Sequence, residues 1–310
     1  MRFPPHFRDG RFFNPNARGA RGLAEVIKWK LTSRAESSPN MIAVAPSIPP
    51  GSIDSASLLV TMVNHATVLL QLPGANILTD PIWSMHASPV SFAGPRRHRM
   101  PGVEFDRLPG IQTVLLSHNH YDHLDVPTLR RLAARGGSQF VAPLGLERFL
   151  QSHGIGPVRE LDWGDSLPLG AITVHAAPAF HFSGRGLFDR NRTLWCSYVI
   201  ESSFGVVFFA ADTAFGPHFG WIRDQFGPPR VALLPIGAYL PRWFMSSVHM
   251  NPEDAVEAHR VLGARTSIAI HHGTFQLADD SVDTPRERLL ACAPSDSFLI
   301  LDNGQFARFD

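Results

Sequence analysis

The segment Ser117-His118-Asn119-His120-Tyr121-Asp122-His123-Leu124-Asp125 places three imidazoles and a carboxylate within six residues. Such a cluster has no packing use. Desolvation and mutual repulsion on protonation make it a liability unless a metal neutralises it. In an extended stretch His118 and His120 share a face, because the side-chain period is two. A turn then aims Asp122 and His123 at a neighbouring point. Two ligand pairs suit two adjacent metals, since one zinc rarely needs all four. More candidates stand at strand tips: His181, Asp212 after the apolar run Val206–Ala211, and His271 after Ile268-Ala269-Ile270. A metal pair of this kind activates water and steadies charge on oxygen, which is hydrolytic chemistry.

These residues need rigid elements to bring them together. Short β-rich runs bounded by Gly, Pro or Asn occupy 58–63, 66–72, 75–79, 113–117, 139–142, 172–176, 197–201, 206–210, 231–235, 267–270 and 298–301. Helical patterns fall at 126–134, capped by Asp125, and at 144–153, 252–262 and 285–292, with Asn251 and Pro252 opening the third. Strands and helices alternate within two similar halves, which predicts an α/β protein with helices outside the sheets. Residues 1–50 read as a basic arm and linker, and 51–310 as the catalytic domain.

Composition narrows the class. Among 310 residues, 44% are hydrophobic and the net charge is only +1, against a dedicated nucleic-acid binder. Cys196 and Cys292 are the only cysteines, so no Cys-built zinc module or disulfide scaffold is expected. With 15 histidines, imidazole and carboxylate are the metal ligands. No secretory core or membrane span is expected, and the reading places the protein in the cytoplasm. The first 35 residues carry eight Lys/Arg and two acids, interleaved with Phe3, Phe7, Phe12, Phe13 and Trp29. Helical spacing of Leu23, Val26, Ile27 and Leu31 predicts an amphipathic helix over 20–33. That arm is open to two uses: peripheral contact with anionic lipid, or packing across the domain or a partner subunit.

The HxHxDH motif, the later histidines and Asp212 resemble the metallo-β-lactamase-fold hydrolases. Asn64-His65-Ala66-Thr67, Leu78-Thr79-Asp80-Pro81, Leu234-Pro-Ile-Gly-Ala-Tyr239, Pro241–Met245, His249–Asp254 and Ala269–Phe275 narrow the likeness. Together they resemble the N-acylphosphatidylethanolamine-hydrolysing phospholipase D branch and its bacterial relatives, over roughly residues 57–305. The resemblance implies an αββα sandwich with a binuclear site at one edge of its sheets. It implies two Zn2+, one on His118, His120 and His181, the other on Asp122, His123 and His271, with Asp212 bridging. A hydroxide between the metals is then the nucleophile, and Asp212 orients it. Manganese, iron and nickel suit the same ligands.

Around the ligands stand further candidates. Asp80 is an acceptor for a ligand ring N–H or a turn residue before Pro81, and His65 is a similar partner or a buried, satisfied histidine. His249 is a candidate general acid or phosphate contact, and Tyr121 offers a hydroxyl to substrate. Arg185 and Arg192 are candidate phosphate contacts, whereas His272 reads as a flank. The favoured activity is phosphodiester hydrolysis of an N-acylphosphatidylethanolamine-like lipid. A lactone, ester or amide hydrolase on the same site, and a non-catalytic, membrane-associated metal binder, are the alternatives. Oligomeric state is open.

Overall fold

The computed structural model of the chain describes residues 3–15, 22–53, 56–186, 188–293 and 296–310. Arg2, Arg18 and Arg21, counted above in the basic arm, lie outside the described residues. A small hairpin comes first, β1 (Phe7–Arg8) and β2 (Arg11–Phe12), followed by helix α1 (Leu23–Thr32). The first half of the body runs β3 (Leu58–Asn64), β4 (Thr67–Leu72), β5 (Ala75–Thr79), β6 (Thr113–Leu115), α2 (Val126–Arg135), β7 (Gln139–Pro143), α3 (Glu147–Ser152) and β8 (Val158–Leu161). The second runs β9 (Ser166–Leu169), β10 (Ile172–Ala177), β11 (Ser197–Ser202), β12 (Gly205–Phe209), α4 (His218–Phe226), β13 (Val231–Pro235), α5 (Arg242–Met245), α6 (Pro252–Leu262), β14 (Thr266–Ile270), α7 (Thr284–Cys292) and β15 (Phe298–Leu299). Strand β16 (Phe306–Phe309) then returns to the first sheet beside β3.

Each half builds one seven-stranded sheet, ordered β16-β3-β4-β5-β6-β7-β8 and β15-β14-β13-β12-β11-β10-β9. Side-chain alternation explains the layering. In β12, Val207 and Phe209 enter the core between the sheets, while Phe208 faces the helices. In β13, Val231 and Leu233 point inward, and Ala232 and Leu234 pack with Phe219, Val256 and Leu262 of α4 and α6. In the first sheet, Val114 and Phe140 likewise pack with Leu129, Leu132 and Leu150 of α2 and α3. Strands covered on both faces read as continuous apolar runs. The result is the expected αββα sandwich.

Parallel pairs β5–β6 and β12–β13–β14 all send their carboxyl ends to one edge. Open α/β sheets bind ligands at such edges. The arm is packed onto the body: Phe12 is buried in the inter-sheet core, and the Asn14 side-chain amide donates to the His181 carbonyl at 2.7 Å. Two sequence expectations need correction. Asp125 precedes α2 without a capping hydrogen bond, because its carboxylate is taken by Ser84 Oγ at 2.7 Å and Thr128 Oγ1 at 2.5 Å. The helix expected from 144 starts only at Glu147. Asn251 does cap α6, accepting from the Asp254 N–H at 2.9 Å.

Candidate metal centre

Strand ends deliver the ligands. His118 and His120 follow β6, Asp212 follows β12, and His271 follows β14. His65 lies in the turn from β3 to β4, where the pairing register shifts between Met62 and Asn64. Such irregularities re-aim a side chain. His65 (φ 48°), Asp80 (φ 33°), Ala211 (φ 51°) and His271 (φ 57°) all adopt left-handed backbone. Non-glycine residues are held there only where surroundings over-determine them, commonly at functional sites. The His271 N–H donates to the His65 carbonyl at 2.9 Å, tying the two sheets together at the site. Gly237 has a steric reason: a Cβ there would lie 2.1 Å from the His271 carbonyl oxygen.

Two groups of side chains converge. In one, His118 Nε2 is 2.8 Å from His120 Nδ1, and His181 Nε2 is 3.1 Å from the same atom. Asp212 completes this group. In the other, Asp122 Oδ2 lies 3.1 Å from His123 Nε2, 3.3 Å from His271 Nε2 and 2.9 Å from His65 Nε2. Asp212 Oδ2 also reaches His123 and His271, at 3.3 and 3.1 Å, so it stands between the groups. The seven residues anticipated as ligands are therefore brought together, and His65 joins them at contact distance.

Hydrogen bonds on the outer ring nitrogens set which nitrogen faces inward. Ser117 Oγ donates to Asp80 Oδ2 at 2.5 Å and accepts from His118 Nδ1–H at 2.8 Å. His123 Nδ1–H donates to Asp80 Oδ2 at 2.7 Å, and His181 Nδ1–H to the Val248 carbonyl at 2.9 Å. His118 and His181 thus present bare Nε2 atoms to the interior, and His123, which the carboxylates hold charged in the absence of a metal, bares its Nε2 once neutral, as a metal ligand must be. A single hydrogen on His120 Nδ1 can serve His118 or His181 but not both. At least one pair of lone pairs would otherwise face each other within 3.1 Å. An electrophile belongs between them. Among the described residues, His249 Nδ1 and Asp212 Oδ1 are also buried without a hydrogen-bond partner. The imidazole and carboxylate donors fit a divalent transition metal.

Electrostatics agree. Burial, reinforced by neighbouring rings, holds His118 well below its ordinary value. Burial likewise takes His120 to about 3 and His181 and His65 to about 4, leaving neutral rings. Burial opposes ionisation of Asp122 and Asp212, but the charge of His123 outweighs it and keeps both well below the carboxylate range. His271 goes the other way, up to about 9, because the charge of Asp212 and hydrogen bonds to both carboxylates overcome burial. The centre therefore calls for positive charge.

An apolar cavity of about 350 Å³ opens over these residues. Val26 and Trp29 of α1 help line it, with Phe182, Phe244 and Leu277. Trp29 stacks on Phe244 with centroids 5.0 Å apart, and its indole N–H donates to Asp279 at 3.0 Å. The arm packs across the domain. His249 lines the same cavity, with Nδ1 3.9 Å from Asp212, and burial holds its pKa well below the ordinary value.

Other sequence candidates fall elsewhere. The Tyr121 hydroxyl donates to the Arg185 carbonyl at 2.9 Å, and its ring packs with Ile82, Ala87 and Phe275. It lines a separate cleft, so the reading of a hydroxyl aimed at substrate is corrected. Arg185 is also in that cleft. Its guanidinium donates to the Asn119 and Leu124 carbonyls, both at 2.8 Å, and stacks on Tyr121. It braces the ligand loop instead of meeting a phosphate. Arg192 is exposed and lines no part of the cavity over the cluster. Arg190, two residues earlier, does line it and was missed. Spacing alone cannot tell which arginine of a loop turns inward. Among the described residues, His272 lies outside the ligand groups.

Residues 75–272 match the family model described as a beta-lactamase superfamily domain. The chain belongs to the beta-lactamase superfamily. It is similar to N-acyl-phosphatidylethanolamine-hydrolyzing phospholipase D 1 of Caenorhabditis elegans, 36% identical over 98% of this chain and 94% of that protein. It is also 38% identical to an uncharacterized protein of Mycobacterium tuberculosis, over 93% of this chain and 80% of the other. The fold is shared with a metallo hydrolase from Ignicoccus hospitalis: TM-score 0.61, 18% identity, covering 82% of this chain and 99% of that one. As a superfamily member carrying these ligand clusters, the chain is a metal-dependent hydrolase. Among the described residues, no helix is long and apolar enough to cross a membrane.

Proposed function

We propose that this protein is a zinc phosphodiesterase of phospholipase D type, cleaving N-acylphosphatidylethanolamine-like lipids to phosphatidic acid and the N-acylethanolamine. The observation that carries the reading is the apolar cavity directly over the ligand clusters, roofed by Val26 and Trp29. Apolar walls suit acyl chains, and the likeness to the C. elegans enzyme points the same way. His118, His120 and His181 would hold one metal; Asp122, His123 and His271 the other; Asp212 would serve both. A bound metal pair supplies an acidified water and charge for the phosphoryl oxygens.

The chain's own groups do the rest. Asp80 and Ser117 fix the rings of His118 and His123, so that each turns Nε2 to the ligand cluster, where it would hold a metal. In the overall step, a water O–P bond forms and the P–O bond to the head-group alcohol breaks. His249 Nδ1 faces Asp212 across 3.9 Å and can carry the water's proton to the leaving alkoxide.

The outer face of α1 leaves Ile27 50% and Leu31 82% exposed, beside Lys28, Lys30 and the 38% exposed Trp243 of α5. Apolar tips among lysines suit the surface of an anionic membrane. The test is hydrolysis by zinc-loaded protein of N-acylphosphatidylethanolamine in vesicles, bis-p-nitrophenyl phosphate, and a panel of lactones and thioesters. Phosphatidic acid release is expected. Cleavage of the simple diester without the lipid removes the lipid assignment, and cleavage of only the carbonyl panel removes phosphodiester chemistry. Elemental analysis of protein purified without added metal checks zinc.

A further inference from the structure

The cavity over the clusters has one feature that apolar chains do not need. Arg190 is on its wall, with the guanidinium carbon 4.8 Å from the centre of the Phe182 ring. That ring lies 4.5 Å from His120 and 4.8 Å from His181, centre to centre. The charge of Arg190 is therefore one aromatic ring away from the ligand cluster. Other arginines nearby are occupied: Arg99 pairs with Asp283 at 2.7 Å, Arg242 with Asp254 at 2.5 Å, and Arg185 with two carbonyls. Among the described residues Arg190 makes no ion pair. Its neighbour Asp189 instead accepts the backbone N–H groups of Arg185 and Gly186. On the same cavity, Ser247 Oγ is buried without a hydrogen-bond partner among the described residues. A half-buried cation and an unused hydroxyl lining one cavity are together the donors of an anion subsite.

We propose that Arg190 and Ser247 form a subsite for an anionic oxygen of the substrate, making Arg190 the residue that selects negatively charged substrates over neutral ones. The inference rests on the hydrolase reading above, but not on phosphorus being the atom attacked. Charge, more than the fork of the guanidinium, does the selecting, since contact runs across a ring and an open cavity.

The experiment compares metal-loaded wild type, Arg190→Gln, Arg190→Lys and Ser247→Ala. Metal content and thermal midpoint are confirmed for each. Substrates are bis-p-nitrophenyl phosphate and a pair of carboxyl esters differing in charge, p-nitrophenyl hemisuccinate and p-nitrophenyl butyrate. Arg190→Gln is expected to lower kcat/KM about tenfold for the anionic substrates, through KM, and to leave the butyrate within about twofold. Arg190→Lys retains most of the selectivity, and Ser247→Ala loses about threefold in the same direction. The difference narrows between about 50 mM and about 500 mM salt, as screening requires. Equal effects on charged and neutral esters, or none on either, overturn the proposal. A wild type that ignores the diester sinks the phosphodiesterase reading alone, and the hemisuccinate-to-butyrate ratio still decides Arg190. Should no ester turn over, the dissociation constants of dimethyl phosphate and trimethyl phosphate give the same comparison.

Discussion

Replacing Asp80 by Asn should weaken metal binding about 10–100-fold without unfolding the protein. Asp80 is fully buried and touches no substrate cavity. Its two oxygens accept three hydrogens: Ser117 N–H at 2.7 Å, Ser117 Oγ–H at 2.5 Å and His123 Nδ1–H at 2.7 Å. Asn has the same shape but only one accepting oxygen. In either amide orientation an NH2 group meets a donor. Directed at Oδ2's partners, it forces His123 to accept at Nδ1 and to carry its hydrogen on Nε2, the atom that faces the cluster. Ser117 Oγ–H must then turn to His118 Nδ1, reversing that ring too. Loss of such an outer partner costs about 10–100-fold in metal affinity, or about 1.4–2.8 kcal/mol. Asp80→Ala should add a stability loss of about 1–3 kcal/mol for each stranded donor, which the isosteric Asn largely avoids. The assay is competition with a chelator, followed by elemental analysis, alongside urea unfolding of the metal-free proteins. Asp80→Asn protein holding metal with wild-type affinity would refute the idea that Asp80 sets both rings.

Three further outcomes are expected. Trp29→Ala removes the stack on Phe244, about 0.5–1.5 kcal/mol, so KM for a lipid substrate should rise about two- to tenfold while a small diester is unaffected. Gly237→Ala drives a methyl into the His271 carbonyl; it should destabilise by about 1–3 kcal/mol in urea and release metal earlier in a chelator titration. Burial works against the charges of His6 and Asp162, yet their 2.7 Å hydrogen bond wins, raising His6 above 6.5 and lowering Asp162 below 3.8. The anchoring by His6 is thus complete below pH 6.5 and is lost as pH rises through its raised value, while that of Asp162 is lost as acid passes its lowered one. Hydrogen exchange of residues 3–15 should quicken from pH 6 to 8.5, after correction for intrinsic rates, and His6→Gln should abolish the change.

Most of the strands and helices, and the cluster of candidate ligands, were legible from residue order alone. Runs such as Val206–Ala211 are apolar on both faces, so they had to be strands covered on two sides, and a charged residue at such a tip had to face a site. Three histidines and an aspartate in six residues leave little but metal chemistry. Local pattern also placed β5, β13 and α6 at their observed limits. It did not reveal β9, β16 or α4: Pro168 interrupts the first, the second is four residues long, and the third contains glycine and starts after a proline. The partners of the candidate ligands came from packing between distant segments. His65 meets Asp122 across 57 residues, and Asp80 meets His123 across 43, contacts made by strands stacking at one edge. Arg185, Arg190 and Arg192 are alike in sequence, and the fold of one loop sends the first to backbone carbonyls, the second to the cavity and the third to solvent. Residue type sets which chemistry is available, because it is carried by the side chain alone. Packing sets which groups use it, because direction and burial arise only when distant segments share a core.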